Sequence, residues 1–166
     1  MNILILGGGG REHALAWATL QNPKCDKLIV APGNAGIALI AECANLDIND
    51  GGAVAEFAGA QNIDLVIIGP EAPLAAGVSD RLRDAGFAVF GPSQAAAELE
   101  ASKRFTKEIC TAAQAPTAAY AHFDSLPEAE AYILTQSAPL VIKADGLAAG
   151  KGVIIATTQD QAHATI

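Results

Sequence analysis

A chain of 166 residues that is 51% apolar can bury a sizeable core, as one ordinary domain or as one small domain plus part of another. Its formal net charge of −8, its pI of about 4.7 and the absence of any basic run or basic–aromatic stripe argue against nucleic acid as a partner. No apolar stretch approaches membrane-span length, and the N-terminus lacks the cationic lead of a signal peptide, so no membrane partner is expected.

Ile3-Leu4-Ile5-Leu6 reads as a buried strand, and Gly7-Gly8-Gly9-Gly10-Arg11-Glu12-His13 follows it. A helix comes next, with Ala14, Leu15, Trp17, Ala18 and Leu20 at helical spacing, closed by Asn22-Pro23. Leu28–Ala31 is a second strand, leading into the loop Pro32–Gly36 and a short helix. Cys43–Ile48 is expected as a third, weaker strand. A helix starting near Asp50 carries Ala53, Val54, Phe57 and Ala58. Asp64–Ile68 is a continuous apolar strand of the kind covered on both faces. The loop Gly69-Pro70-Glu71-Ala72-Pro73 precedes a helix through Leu74, Val78, Leu82 and Ala85, and Phe87–Phe90 is a fifth strand.

Strands alternating with helices predict an α/β fold with a doubly wound parallel sheet. In the order 3-2-1-4-5 the switch point lies between the first and fourth strands. The turn Gly7–His13 and the loop at Glu71 then open on one crevice, with Asn34 close by.

The style changes near Ser102, a plausible N-cap for a helix that stops before Pro116. A boundary there divides the chain into residues 1–101 and 102–166. Ala118–Phe123 is expected as a strand, and Ser125 caps a further helix. Leu140–Ala144 and Val153–Ala156 are strands flanking Asp145–Gly152, and a last helix begins near Thr158. The second sheet reads as incomplete, so the chain is expected to be an N-terminal part of a longer protein. The three cysteines, Cys25, Cys43 and Cys110, are odd in number and widely spaced. They fit reduced thiols in a cytoplasmic protein rather than a disulfide framework or a zinc site.

Two glycine-rich stretches carry the chemistry. Gly8, Gly9 and Gly10 let a backbone come close to a ligand, and the next helix points its first N–H groups and the positive end of its dipole into the turn. A plain strand-to-helix turn would need fewer glycines. The dinucleotide fingerprint fails: Glu12 stands where its third glycine belongs, and the second strand ends at Ala31-Pro32 with no carboxylate. A smaller phosphorylated molecule fits better, with Arg11 as its bidentate partner. His13 reads equally as a substrate contact or as a helix-face histidine, and Glu71 equally as a substrate contact or as a solvated glutamate.

The second stretch is Asp145 to Gly152. It is no Walker A loop, because Asp145 stands six residues before Lys151 where that motif needs glycine, and Gly152 replaces its Ser or Thr. A strand, glycine loop and strand form a hairpin that can lie over a triphosphate. Lys143 and Lys151 would supply charge, with Gly146, Gly150 and Gly152 as the glycines. Lys103 reads either as a further nucleotide contact or as a plain surface lysine.

Five ordered motifs now stand together: Gly9-Gly10-Arg11-Glu12-His13-Ala14, Ala31-Pro32-Gly33-Asn34-Ala35-Gly36, Gly69-Pro70-Glu71-Ala72-Pro73-Leu74, Ser102-Lys103 with Phe105-Thr106-Lys107, and Ile142–Val153. Together they resemble the phosphoribosylamine–glycine ligases (glycinamide ribonucleotide synthetases), ATP-grasp enzymes of purine biosynthesis. Gly8 departs from the polar residue, often Asn, of many members, and Ile37 from a frequent Thr.

The resemblance implies a Rossmann-like platform domain followed by the start of an ATP-grasp domain. It implies ATP, with Mg²⁺ or Mn²⁺ held by residues beyond this chain, and the small-molecule substrates glycine and 5-phosphoribosylamine. It implies a cytoplasmic monomer or weak homo-oligomer. Gly8, Gly9, Gly10, Arg11, Glu12, His13, Asn34, Gly36 and Glu71 would then meet substrate. Lys103, Lys143, Asp145, Gly146, Gly150, Lys151 and Gly152 would meet ATP. The expected reaction joins glycine to 5-phosphoribosylamine through a glycyl phosphate, and these residues alone are expected to be inactive. Another ATP-grasp carboxylate–amine ligase, a non-catalytic phosphate- or nucleotide-binding module, and a dinucleotide oxidoreductase are the competing readings. The failed fingerprint disfavours the last.

Overall fold

The computed structural model describes residues 1–148 and 151–166. The chain divides into two compact units, Met1–Glu98 and Leu99–Ile166.

The first unit is a five-stranded sheet. Its strands are β1 (Asn2–Gly7), β2 (Lys27–Pro32), β3 (Glu42–Cys43), β4 (Leu65–Ile68) and β5 (Ala88–Phe90). The order is β3-β2-β1-β4-β5 with every pair parallel, as the alternation of elements predicts. Leu4 is in register with Ile29 on one side and Val66 on the other.

The pleat sends alternate side chains to two cores. Leu4, Leu6, Ile29, Val66 and Ile68 pack with Val54 and Ala58 of helix α2 (Gly51–Ala60) and Val78 and Leu82 of helix α4 (Val78–Asp84). Ile3, Ile5, Leu28 and Val30 face the other way, onto Ala16 of helix α1 (Gly10–Leu20) and onto Ile37. Each fully buried Leu, Ile or Val contributes about 1.5–3 kcal/mol over its exposed state. Placing layers on both faces of the strands therefore accounts for their unbroken apolar runs.

Three expectations for this unit need correction. The third strand is only two residues long; Ala44, Leu46 and Ile48 lie beyond it and pack on the core from irregular chain. The helix expected from Leu74 to Ala85 is two helices, α3 (Glu71–Ala75) and α4, broken at Gly77, whose φ of +79° an L side chain rarely adopts. Glu71 opens α3 rather than lying in a loop, with Pro70 at the N-cap. A helix without a sequence expectation, α5 (Gln94–Ala101), follows Ser93, whose hydroxyl accepts from the Ala96 N–H at 3.2 Å.

In the second unit, Ser102 caps α6 (Lys103–Ala112) by accepting from the Phe105 N–H at 3.1 Å. Ser125 and Thr158 cap α7 (Leu126–Ile133) and α8 (Gln159–Thr165) in the same way. Strands β6 (Leu140–Lys143) and β7 (Val153–Ala156) form an antiparallel hairpin with Lys143 opposite Val153. Ile133, Ala156 and Ala162 form the small core, with Leu140 and Ile142 packed on it. The expected strand Ala118–Phe123 is irregular chain. It is held to α6 by side chains instead: Lys107 Nζ donates to the Ala118 carbonyl at 2.8 Å and lies 5.3 Å from the Tyr120 ring centroid.

Candidate functional site

The switch point between β1 and β4 gathers the first group of residues. Gly7 ends β1 with φ +126°, a turn open to glycine. Gly9 is the N-cap of α1, and His13 donates its N–H to the Gly9 carbonyl at 3.0 Å, the first helical bond. Arg11, on the first turn, reaches across the crevice. Its Nη2 donates to Glu71 Oε2 at 3.2 Å. The Glu71 N–H and this guanidinium hold the Glu71 carboxyl below its ordinary range. The sequence expectation that Glu71 faces the glycine turn is met by this pair.

Asn34 ties the neighbouring loop to the turn. Its Nδ2 donates to the Gly8 carbonyl at 2.8 Å, and its Oδ1 accepts from the Ile37 N–H at 2.9 Å. The Gly33 N–H bonds the Gly7 carbonyl at 3.2 Å, so the two segments run tightly together. A Cβ on Gly8 would stand 2.5 Å from the Gly33 carbonyl oxygen. Glycine at this position therefore fits the close approach of two backbones. His13 packs on Gly36, where a Cβ would stand 2.9 Å from its Cε1. Gly10 is different: nothing lies within 4 Å of where its Cβ would be. The space beside the first turn of α1 is open there. Ile37 is fully buried in the core and does not face the crevice.

Glu12 is 3% exposed. It accepts from the Gly9 N–H at 2.6 Å through Oε2, the return half of a capping box. Its carboxylate lies under the turn rather than in the open crevice.

In the second unit the hairpin expectation holds. The Ala144 N–H donates to the Gly152 carbonyl and the Lys151 N–H to the Ala148 carbonyl, both at 2.9 Å. A Cβ on Gly152 would come within 2.6 Å of Ala148 Cβ, so glycine is needed for the tight return. Lys143 and Lys151 are exposed, and among the described residues neither forms an ion pair. Gly150 lies outside the described residues.

Two expected nucleotide contacts are engaged within the fold. Asp145 accepts at the N-terminus of α6, from the Lys103 N–H at 2.7 Å and the Ser102 hydroxyl at 3.1 Å. Lys103 Nζ donates to the Gly146 carbonyl at 2.7 Å. The sequence predicts Ser102 as a cap only. Its link to Asp145 spans 43 residues, and no local pattern signals it.

Among the described residues no three His, Cys, Asp or Glu side chains converge on a point that could hold a metal ion. The acids of the two candidate stretches are engaged within the fold: Glu12 with the turn, Glu71 with Arg11, Asp145 with a helix end. Among the described residues no helix is long and apolar enough to cross a membrane.

The family model for the N domain of phosphoribosylglycinamide synthetase matches residues 1–100, and that for its ATP-grasp (A) domain matches residues 101–166. The chain belongs to the phosphoribosylglycinamide synthetase family. The resemblance carried by the five motifs is thus confirmed. Phosphoribosylamine–glycine ligases of Mesorhizobium japonicum and Agrobacterium fabrum are each 55% identical over the whole of this chain. The chain spans 39% of the length of each. The crystal structure of the Thermotoga maritima phosphoribosylamine–glycine ligase superposes with a TM-score of 0.77 at 30% identity, over 99% of this chain and 38% of that one. An N5-carboxyaminoimidazole ribonucleotide synthetase from Thermus thermophilus shares the fold, with a TM-score of 0.69 at 22% identity over 96% of this chain and 42% of that one. In this synthetase family the switch-point crevice belongs to the N domain and the Lys143–Val153 hairpin to the ATP-grasp domain.

Proposed function

We propose that this chain is part of a cytoplasmic, ATP-dependent carbon–nitrogen ligase that joins glycine to 5-phosphoribosylamine in purine biosynthesis. Residues 1–101 would serve as the platform for the phosphoribosylamine, and residues 102–166 would begin the ATP-grasp part. The observation that carries the reading is the meeting of Arg11, Asn34 and Glu71 around the Gly7–Gly10 turn at the switch point. Membership of the family supplies the substrate class.

The chemistry follows from what glycine lacks. A carboxylate is a poor acyl donor. Transfer of the γ-phosphoryl group from ATP to a carboxylate oxygen releases ADP and gives an acyl phosphate. The amine nitrogen of phosphoribosylamine then attacks the acyl carbon. The carbon–oxygen bond breaks, inorganic phosphate leaves, and the nitrogen loses a proton as the amide forms. Most of the rate would come from holding the partners together and keeping water out.

The residues of this chain would bind and orient. The N–H groups at the start of α1 and the Arg11 guanidinium suit a sugar phosphate, with Gly10 leaving the approach clear. Glu71 and Asn34 suit hydroxyl or amine groups of the same molecule. Lys143 and Lys151, exposed on a glycine-rich hairpin, suit the phosphates of ATP. The test is ADP release by the full-length protein with ATP, Mg²⁺, glycine and phosphoribosylamine. Release that requires both glycine and the ribosylamine is the expected result. Release with a different carboxylate or amine, and none with this pair, would overturn the assignment.

A further inference from the structure

Glu12 lies in the most conspicuous glycine sequence of the chain, yet its side chain is enclosed. Three glycines surround it. A Cβ on Gly7 would stand 2.6 Å from Glu12 Cγ, one on Gly9 2.9 Å from Oε2, and one on Gly69 2.2 Å from Oε1. At Gly69 the three nearest atoms to that position all belong to Glu12. Gly7 and Gly69 end or follow the adjacent strands β1 and β4, and the Gly69 N–H bonds the Leu6 carbonyl at 3.0 Å. The Glu12 side chain therefore lies across the ends of both strands, directly beneath the turn. Among the described residues its Oε1 is buried without a hydrogen-bond partner, and Arg11 Nε is 4.0 Å from it.

A buried carboxylate with one unbonded oxygen costs stability. Burial of this kind is offset only by what the group organises. The organised feature here is the turn itself: Oε2 fixes the Gly9 N–H, and Gly9 is the N-cap of α1.

We propose that Glu12 is a positioning residue, a strut that sets the Gly8–Arg11 turn and the switch point for the sugar phosphate without touching it. Gly9 and Gly69 are then glycine because they make room for this side chain, while at Gly7 the φ of +126° calls for glycine as well. Gly10 is left as the place where a ligand comes close. The proposal rests on the ribosylamine reading for its kinetic part and on packing alone for its structural part.

A double-mutant cycle in the full-length protein tests it, with E12A, E12Q, G69A and E12A/G69A compared by melting temperature and by KM for phosphoribosylamine and for ATP. Loss of the charge-assisted bond to Gly9 should raise the ribosylamine KM of E12A about tenfold and leave the ATP KM within about twofold. E12Q keeps an acceptor for the Gly9 N–H and should recover most of the loss. G69A should mimic E12A, because its methyl group displaces Oε1. In the E12A background G69A should cost little further in melting temperature or KM, since the three atoms nearest its methyl group are gone. Additive losses in melting temperature would overturn the strut. An E12Q as impaired as E12A for the ribosylamine alone would make Glu12 a direct substrate contact and overturn the positioning role. If the protein does not turn over phosphoribosylamine at all, the functional reading fails. The melting-temperature cycle then decides the strut by itself, non-additivity supporting it and additivity overturning it.

Discussion

Asp145 and Lys103, 42 residues apart, are joined by a 2.7 Å hydrogen bond from the Lys103 backbone N–H to Asp145 Oδ1. The Ser102 hydroxyl donates to the other carboxylate oxygen at 3.1 Å. An acidic residue of the glycine-rich hairpin thus sits where a helix leaves its first N–H groups without partners. Burial would push the Asp145 carboxyl up. The N–H groups of Gly146, Lys103 and Arg104 and the Ser102 hydroxyl outweigh it and hold the carboxyl below its ordinary range.

The sign of the pH dependence follows. A carboxyl depressed on folding adds stability above its unfolded value, about 3.9, and loses it as pH falls through the lower folded value. Asp145 is exposed, so salt screens part of the effect. D145N should lower the stability of the second unit at neutral pH by about 1 kcal/mol. The difference from the wild type should shrink below about pH 3.9. Urea melts at neutral and acid pH measure it; a difference constant with pH would remove the charge from the explanation.

Arg11 and Glu71 make the second prediction. Both are solvent-accessible, with side chains 70% and 41% exposed, so the pair contributes little to stability, about 0–1 kcal/mol. Its position at the switch point gives it another use. R11A should raise the KM for phosphoribosylamine by about tenfold or more while the ATP KM and the melting temperature hold. The Glu71 carboxyl, depressed by its own backbone N–H and by Arg11, keeps the pair charged to below the ordinary carboxylate range, and the contribution is lost as pH falls through that folded value. Equal loss of ribosylamine and ATP use in R11A would reduce the turn to a structural element.

The strand order was legible because strand and helix periodicities alternate cleanly through the first unit, and that alternation admits few topologies. The caps at Ser102 and Ser125 and the helix starts near Asp50 and Thr158 were legible for a local reason, since each of these side chains bonds an N–H two or three residues on. One failure was local: Leu74 to Ala85 has one continuous helical spacing, and the left-handed Gly77 inside it splits the helix. The others came where distant chain decides the outcome. Ala118–Phe123 has the composition of a strand but pairs with no strand among the described residues; Lys107 holds its Ala118 carbonyl instead. In the site, the crevice residues followed from topology. The engagement of Asp145 with α6 and of Glu12 with Gly69 did not, because each depends on a packing contact that no spacing rule encodes.

Lys103, Lys143 and Lys151, three of the four lysines of the second unit, separate by role, and this makes the last prediction. Lys103 Nζ is half-buried against the Gly146 carbonyl at 2.7 Å, so it braces the hairpin. Lys143 ends β6 and Lys151 lies on the return; both are exposed and unpaired among the described residues. K103A should cost about 1 kcal/mol of stability, the usual worth of such a bond, and should weaken ATP binding only through the hairpin it props. K143A and K151A should leave stability within about 0.5 kcal/mol, as exposed substitutions do. Each should still weaken ATP binding about tenfold, the effect of removing a cation from a phosphate. The ATP-induced rise in melting temperature reads binding and stability in one titration. Wild-type ATP responses in both K143A and K151A would mean that the hairpin does not hold the nucleotide, and the ATP site would have to be sought on other residues.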